Sequence, residues 1–167
     1  MINAIKKRRS IREYLSDTIP EEKIKEILMS AMFAPSANAL YPWELVVVKD
    51  QDTKELLSKT TPWSTHAKDV SIVIAVIGHE QESSNWIEDC SIVAEHIWLE
   101  VAEQNLGCCW VQIRGNNNAE KDVKEILNIP ENLRELCLMP IGIPVKEQPE
   151  HSEDKFEKTR IKYEKYK

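Results

Sequence analysis

The residues of this chain that could do chemistry are concentrated at its start. Arg8, Arg9, Ser10 and Arg12 put three guanidinium groups and a hydroxyl within five residues, and the planar fork of a guanidinium matches phosphate oxygens two at a time. With Lys6 and Lys7, the first twelve residues hold five basic side chains and no carboxylate, in a protein of formal net charge −6. If these residues continue a helix, Arg8 and Arg12 lie one turn apart on the same face. The block reads as an anion site, a nucleic-acid arm or a solvated face. A nucleic-acid reader carries a broader basic footprint, and a pI near 5.3 weighs against one.

Other chemistries are excluded by residue type and spacing. Gly78, Gly107, Gly115 and Gly142 are the only glycines, too far apart for a dinucleotide fingerprint or a phosphate loop. His66, His79, His96 and His151 form no HExxH and have no Cys or Asp at ligand spacing, so no metal is expected. GxSxG is absent, and with it a recognisable serine nucleophile. Cys90, Cys108, Cys109 and Cys137 lack CxxC spacing and sit in apolar stretches, where a thiol packs as a small hydrophobe. Alternation along a strand sends Cys108 and Cys109 to opposite faces. Trp43, opening a β-branched run, reads as core, and His66 as a surface histidine.

The elements that must position these residues follow from periodicity. Thr18 and Glu21 have capping-box spacing, and Ile24, Ile27, Leu28 and Ala31 recur at helical intervals, predicting a helix over 18–34. WELVVV (43–48) predicts a strand, followed by a short helix over 52–59. VSIVIAVIG (70–78) suits a strand covered on both faces, central in its sheet. Cys90, Val93, Ala94, Ile97, Trp98, Val101 and Ala102 mark a deeply covered helix over 86–105. Strands at 108–113 and 135–143 flank a helix at 119–127. This alternation argues for a mixed sheet with helices on its faces.

The length of 167 residues fits one domain spanning 1–167. Its charged end, 149–167, reads as a C-terminal arm, solvated or laid on another subunit. The longest uncharged stretch, Ile27 to Trp43, is broken by two prolines and is shorter than the roughly 20 apolar residues of a membrane span. The basic start runs into Glu13 and Asp17 rather than an apolar segment, so no leader is expected and the chain reads as cytoplasmic.

Four segments together resemble the FMN-dependent nitroreductase family: RRSIREY (8–14), APSANALYPWELVVV (34–48), LGCCWVQIRG (106–115), and LNIPENL followed by PIGIP (127–144). The resemblance implies an α+β fold, an intertwined homodimer with FMN at its interface, and hydride transfer from NADH or NADPH through flavin N5 to a nitroaromatic, quinone or related acceptor. It places Arg8, Arg9 and Ser10 at the flavin phosphate and ribityl chain, and Arg12 at the N1 and O2 edge of the ring. It assigns Pro35, Ser36 and Asn38 to the partner's flavin. Gln112, Ile113, Arg114 and Gly115 fall beside the N5 and O4 edge, where backbone donors meet the ring. Lys158 and Arg160 resemble a basic pair that reaches the phosphate, with residues 149–167 packed on the partner. For His66 the register also allows contact with the ring. The flavin carries the chemistry, so no catalytic side chain is expected.

The pattern is not matched throughout. Tyr41 stands where many relatives carry a different residue on the substrate side, and Cys108 replaces a common serine. The chain is also shorter than many members, which implies a more open pocket. The same fold implies alternatives, namely dehalogenation, dehydrogenation, flavin fragmentation, or flavin binding in a regulatory or storage role.

Overall fold

The computed structural model describes residues 1–166; the last residue of the expected arm, Lys167, lies outside the described residues. A short helix α1 (Asn3–Lys7) leads through an extended segment to β1 (Tyr14–Leu15) and α2 (Glu21–Met32). There follow β2 (Trp43–Val48), α3 (Gln51–Leu57), β3 (Ile72–Gly78), α4 (Trp86–Glu103), β4 (Gly107–Cys108), β5 (Val111–Gln112), α5 (Asn117–Leu127) and β6 (Arg134–Pro144). Among the described residues no helix is long and apolar enough to cross a membrane.

β3 is central and buried along its whole length, lying between β2 and β6. Its alternation divides the core in two, as the period of two requires. Ile72, Ile74 and Val76 pack with Ile27 of α2 and with Val93 and Ile97 of α4. Val73, Ala75 and Ile77 pack on the other face with Leu57 of α3 and Val123 of α5. Burying each such aliphatic side chain is worth about 1.5–3 kcal/mol, so these two layers hold the fold.

β6 is the hub. One edge takes β3, and the other takes β1, β4 and β5 in succession. All these ladders are antiparallel, and the parallel contribution is an isolated bridge between Ser10 and Cys108. The register of β6 with β3 passes from Cys137 to Glu135 and skips Leu136, a bulge that re-aims the local backbone.

Three local expectations are corrected. α2 starts at Glu21 with Pro20 as its N-cap and no side-chain cap, so Glu21 is the first helical residue instead of the third and its carboxylate takes Lys49 Nζ at 2.6 Å. The strand expected at 108–113 is two short pieces separated at Cys109 and Trp110. α1 stops at Lys7, where the amide of Arg8 closes the last turn onto Ala4 O at 2.9 Å. Arg8 and Arg12 are therefore not one helical turn apart, because the chain between them is extended.

Glu135 conflicts with its surroundings. It is 1 % exposed on β6, and both carboxylate oxygens are buried without a hydrogen bond. Burial pushes its pKa above the ordinary 4.5. The folded state thus holds this proton more tightly than the unfolded chain, so the cost is full above the folded pKa and fades as pH falls through 4.5. Glu135→Met is expected to raise stability at pH 7.5 by about 1–3 kcal/mol, the cost of an unsatisfied buried polar group, and by less at pH 4.5. Denaturant midpoints at the two pH values check this; an equal gain at both would show that ionisation is not the source.

Candidate functional site

The basic segment reaches the sheet through two glycines. Gly107 of β4 and Gly142 of β6 are register partners. A Cβ on Gly107 would lie 2.8 Å from Ile11 Cγ2, and one on Gly142 2.8 Å from Tyr14 Cδ1. A side chain at either position would have to displace Ile11 or Tyr14. Held down, Ile11 donates its N–H to Cys108 O at 2.9 Å, and Tyr14 and Leu15 pair with Pro144 and Ile143.

The four residues expected at the flavin phosphate and ring are in different surroundings. The Arg8 guanidinium lies 4.4 Å over the Trp98 ring and 3.9 Å from Glu95. Trp98 Nε1 donates to Arg9 O at 3.2 Å, so one indole of α4 supports both residues. Arg9 donates to Arg8 O at 3.2 Å and to Pro149 O, while His151 donates its N–H to Lys6 O at 2.9 Å. The start of the arm is thereby tied to the basic block of its own chain. Ser10 and Arg12 are exposed, and Arg12 makes no ion pair among the described residues.

His66 is not a surface residue. It is 6 % exposed and stacked on Tyr14 with ring centroids 6.1 Å apart. Its Nε2 is buried without a hydrogen-bond partner. Burial first, and Arg12 second, hold its pKa below the ordinary value, which favours neutral imidazole. The 3-10 turn over Thr65–Asp69 delivers it there, and Ser64, hydrogen-bonded to Ser58 O and Thr61 O, stiffens the preceding turn.

The loop of Pro35, Ser36 and Asn38 is set by a carboxylate. Asp89, 3 % exposed on α4, accepts from Ser36 Oγ at 3.1 Å and Ala37 N at 3.0 Å, and Ser36 Oγ accepts Tyr41 N at 2.8 Å. Asn38, Ala39 and Tyr41 all have φ between 52° and 55°. That conformation costs an L-residue such as Ala39 or Tyr41 about 1–2 kcal/mol, so the loop needs these tethers. Pro35 and Asn38 remain exposed, and Tyr41, also exposed, sits edge-on to the buried Trp43 at 5.5 Å. The core reading of Trp43 holds.

Beside this, residues 110–115 form a tied turn. Trp110 Nε1 donates to Gln112 Oε1 at 2.9 Å, and Gln112 Nε2 to Arg114 O at 2.8 Å. The amides of Ile113 and Arg114 both reach Leu136 O, at 3.2 and 3.1 Å, the carbonyl of the residue skipped in β6. Gly115, at φ +87°, donates to Glu120 Oε1 at 2.7 Å. These three backbone donors are bonded within the chain. The groups this turn presents are the exposed Gln112 and the half-buried Arg114, whose guanidinium stands 5.8 Å from the Trp86 ring centre; Ile113 is core.

Lys158 and Arg160 stand exposed in a turn of the arm, with Arg160 Nε on Glu157 at 2.6 Å. The structure does not bring them to the basic block. The four cysteines are free and buried. Burial pushes the Cys108 and Cys137 thiols well up, and that of Cys109 up despite Arg12 and Ser10 nearby, so none is a ready nucleophile.

Sequence reasoning missed Asp89, Trp98 and Glu120. Asp89 left a trace, since it falls three residues after Trp86 on an apolar stripe where a lone carboxylate needs an internal partner. The indole N–H of Trp98 and the reach of Glu120 left none.

The sequence model of the Nitroreductase family matches residues 5–69 and 59–143. A solved FMN-dependent nitroreductase from Clostridium difficile superposes with a TM-score of 0.95 at 31% identity, over 99% of this chain and 100% of that one. A Methanothermobacter thermautotrophicus protein, provisionally named NADH dehydrogenase/NAD(P)H nitroreductase, is 32% identical over 99% of this chain and 87% of its own. Iodotyrosine deiodinase 1 of Sus scrofa is 27% identical over 86% of this chain and 61% of its own.

Asp89→Ala would leave the Ser36 and Ala37 donors without their acceptor. It is expected to cost about 1–3 kcal/mol of stability and to open residues 36–41 to proteolysis, with Asp89→Asn milder. Denaturant titration and mapped proteolytic cleavage check this, and an uncut loop in Asp89→Ala would show that the loop holds itself.

Proposed function

Because the chain belongs to the nitroreductase family, we propose that it is an FMN-dependent oxidoreductase that uses NADH or NADPH to reduce a nitroaromatic, quinone or related acceptor. The observation that carries the reading is the exposed Arg12 guanidinium, free of ion pairs among the described residues, at the end of a block whose Arg8 and Arg9 are braced on Trp98 and Pro149. Braced guanidiniums beside a free one fit an anionic cofactor with phosphate at one end and a ring that gains negative charge at the other. Bound FMN would supply the hydride chemistry between nicotinamide and acceptor.

The chain's own part is binding and polarisation. Arg8, stacked on Trp98, and Arg9 hold phosphate, with Ser10 at the sugar chain. Arg12 places fixed positive charge where negative charge collects on reduction, which stabilises the reduced ring. His66, buried against Tyr14 and held neutral, backs Arg12 without adding charge. Gln112, Ile113, Arg114 and Gly115 shape the opposite edge, Tyr41 borders the acceptor side, and Lys158 and Arg160 reach the phosphate only if the arm moves from the position described.

The proposal includes a homodimer in which Pro35, Ser36 and Asn38 serve the flavin of the other subunit and the arm lies on the partner. Support comes from Met29, Met32, Phe33, Leu40 and Tyr41, all large apolar residues exposed on α2 and the adjoining loop, since apolar patches of this kind mark interaction surfaces. A second reading, reductive dehalogenation on the same flavin, is favoured by the likeness to the deiodinase.

Purified protein is expected to show flavin absorbance that anaerobic NADH or NADPH bleaches. Arg8→Ala is expected to weaken FMN retention about ten- to a hundredfold, matching about 1.5–3 kcal/mol for a hydrogen bond to a charged group. Arg12→Ala should also lower the flavin potential. Protein that neither contains nor takes up FMN sinks the reading, and a sedimentation monomer that still holds FMN tightly sinks the shared site.

A further inference from the structure

Among the described residues, Glu120 is the one carboxylate that joins the 110–115 turn to the ends of two core strands. Its Oε1 accepts the Gly115 amide at 2.7 Å. Its Oε2 takes Arg134 Nε at 3.0 Å and Nη2 at 2.8 Å. The same guanidinium sends Nη1 to Glu80 Oε2 at 2.8 Å. Arg134 opens β6 and Glu80 follows β3, whose last residue, Gly78, is the register partner of Arg134. The chain from Gly115 to the sheet is therefore continuous and made of charge-assisted bonds, which are shorter and stronger than neutral ones.

Both ends of the turn are fixed differently. The Ile113 and Arg114 amides hang on the skipped Leu136 carbonyl, a backbone contact that survives any side-chain change. The Gly115 amide bonds to Glu120, and its φ of +87° leaves it without the steric preference that a side chain would add. Asn116 donates its own amide to Ile113 O at 3.1 Å and begins α5 by accepting the Ala119 amide at 3.3 Å, so Glu120 adds a side-chain tie at Gly115 between two backbone-fixed points. The side chain of Glu120 is 13 % exposed, against 32 % for Arg134, while its bond to Gly115 lies at the surface.

The charge balance also matters. One guanidinium faces two carboxylates, so the group of Glu80, Arg134 and Glu120 keeps a net negative charge beside the 112–115 turn, where under the flavin reading a reduced ring would feel it. From this geometry we infer that Glu120, clamped by Arg134, is a positioning residue that sets the 112–115 edge of the flavin site and, through the net charge it shares with Arg134 and Glu80, the potential of the bound flavin. This rests on the flavin reading above. Glu120 touches neither cofactor nor substrate; it acts through the Gly115 amide.

The test uses FMN-loaded full-length protein with NADH as donor and menadione as acceptor, in Glu120→Gln, Glu120→Ala and Arg134→Met. Glu120→Gln keeps an acceptor for Gly115 and removes one negative charge, so the flavin potential should rise with kcat/KM held within about threefold. Arg134→Met leaves the carboxylate unbalanced, so the potential should fall. Glu120→Ala releases the turn, with kcat/KM down on the order of tenfold or more, as small misplacements of a reacting edge produce, and with faster amide hydrogen exchange across residues 112–116. A merely structural role would move thermal stability in all three variants without opposite shifts of potential. Parent protein that turns over FMN while every variant matches it within twofold in potential and kcat/KM overturns this inference alone. Parent protein that binds no FMN overturns the flavin reading and this inference with it.

Discussion

Residues 11–14 can lie on the sheet only because Gly107 and Gly142 face each other across β4 and β6 with no side chain between them and Ile11 or Tyr14. Much of the candidate site depends on that close approach. It turns a basic segment, which alone would be a solvated tail, into a strand-like wall whose Ile11 amide is bonded to Cys108 O. It brings the Tyr14 ring onto His66 and puts Arg12 beside that histidine. The opposite wall hangs from the same strand, because β5 pairs with Leu138 and Cys137 and the next two amides reach Leu136 O. β6 thus carries both walls, and its bulge decides where the second one turns.

The charges in these walls are not equivalent, and their partners explain why. Arg8 and Arg9 are braced by Trp98, by Glu95 and by the carbonyl of Pro149, which reduces the entropy lost when either meets an anion. Arg12 has no ion pair among the described residues and faces solvent, with a neutral histidine for a neighbour. Arg134 is consumed by two carboxylates. The same residue type therefore stands braced, free or tied internally, according to what the fold puts beside it.

Where a residue's role follows from local periodicity, it was legible in the sequence. The all-buried β3 shows in its β-branched run, the α4 stripe in its spacing, and Trp43 as core in its place at the head of a strand. Arg8, Arg9, Ser10 and Arg12 stood out by charge alone, and the four ordered segments pointed to the family. Roles that depend on a partner distant in sequence were not legible. His66 looked like a surface residue because nothing near it in sequence hints that Tyr14 will cover it. The Thr18 and Glu21 spacing suggested a capping box, but Pro20 moved the helix start and Lys49, 28 residues away, claimed the carboxylate.

By itself, then, the sequence determined most of the helix and strand segments, which faces are apolar, and that a basic block opens the chain, since these depend on residue types at short and regular spacing. Only the tertiary structure decided how that block is placed. Asp89 reaches Ser36 across 53 residues and Trp98 reaches Arg9 across 89, while the bulge at Leu136 commits amides that a local reading would leave free. A hydrogen-bonding group has one identity in sequence and many possible partners in space, and the close packing of the two core layers around β6 selects among them.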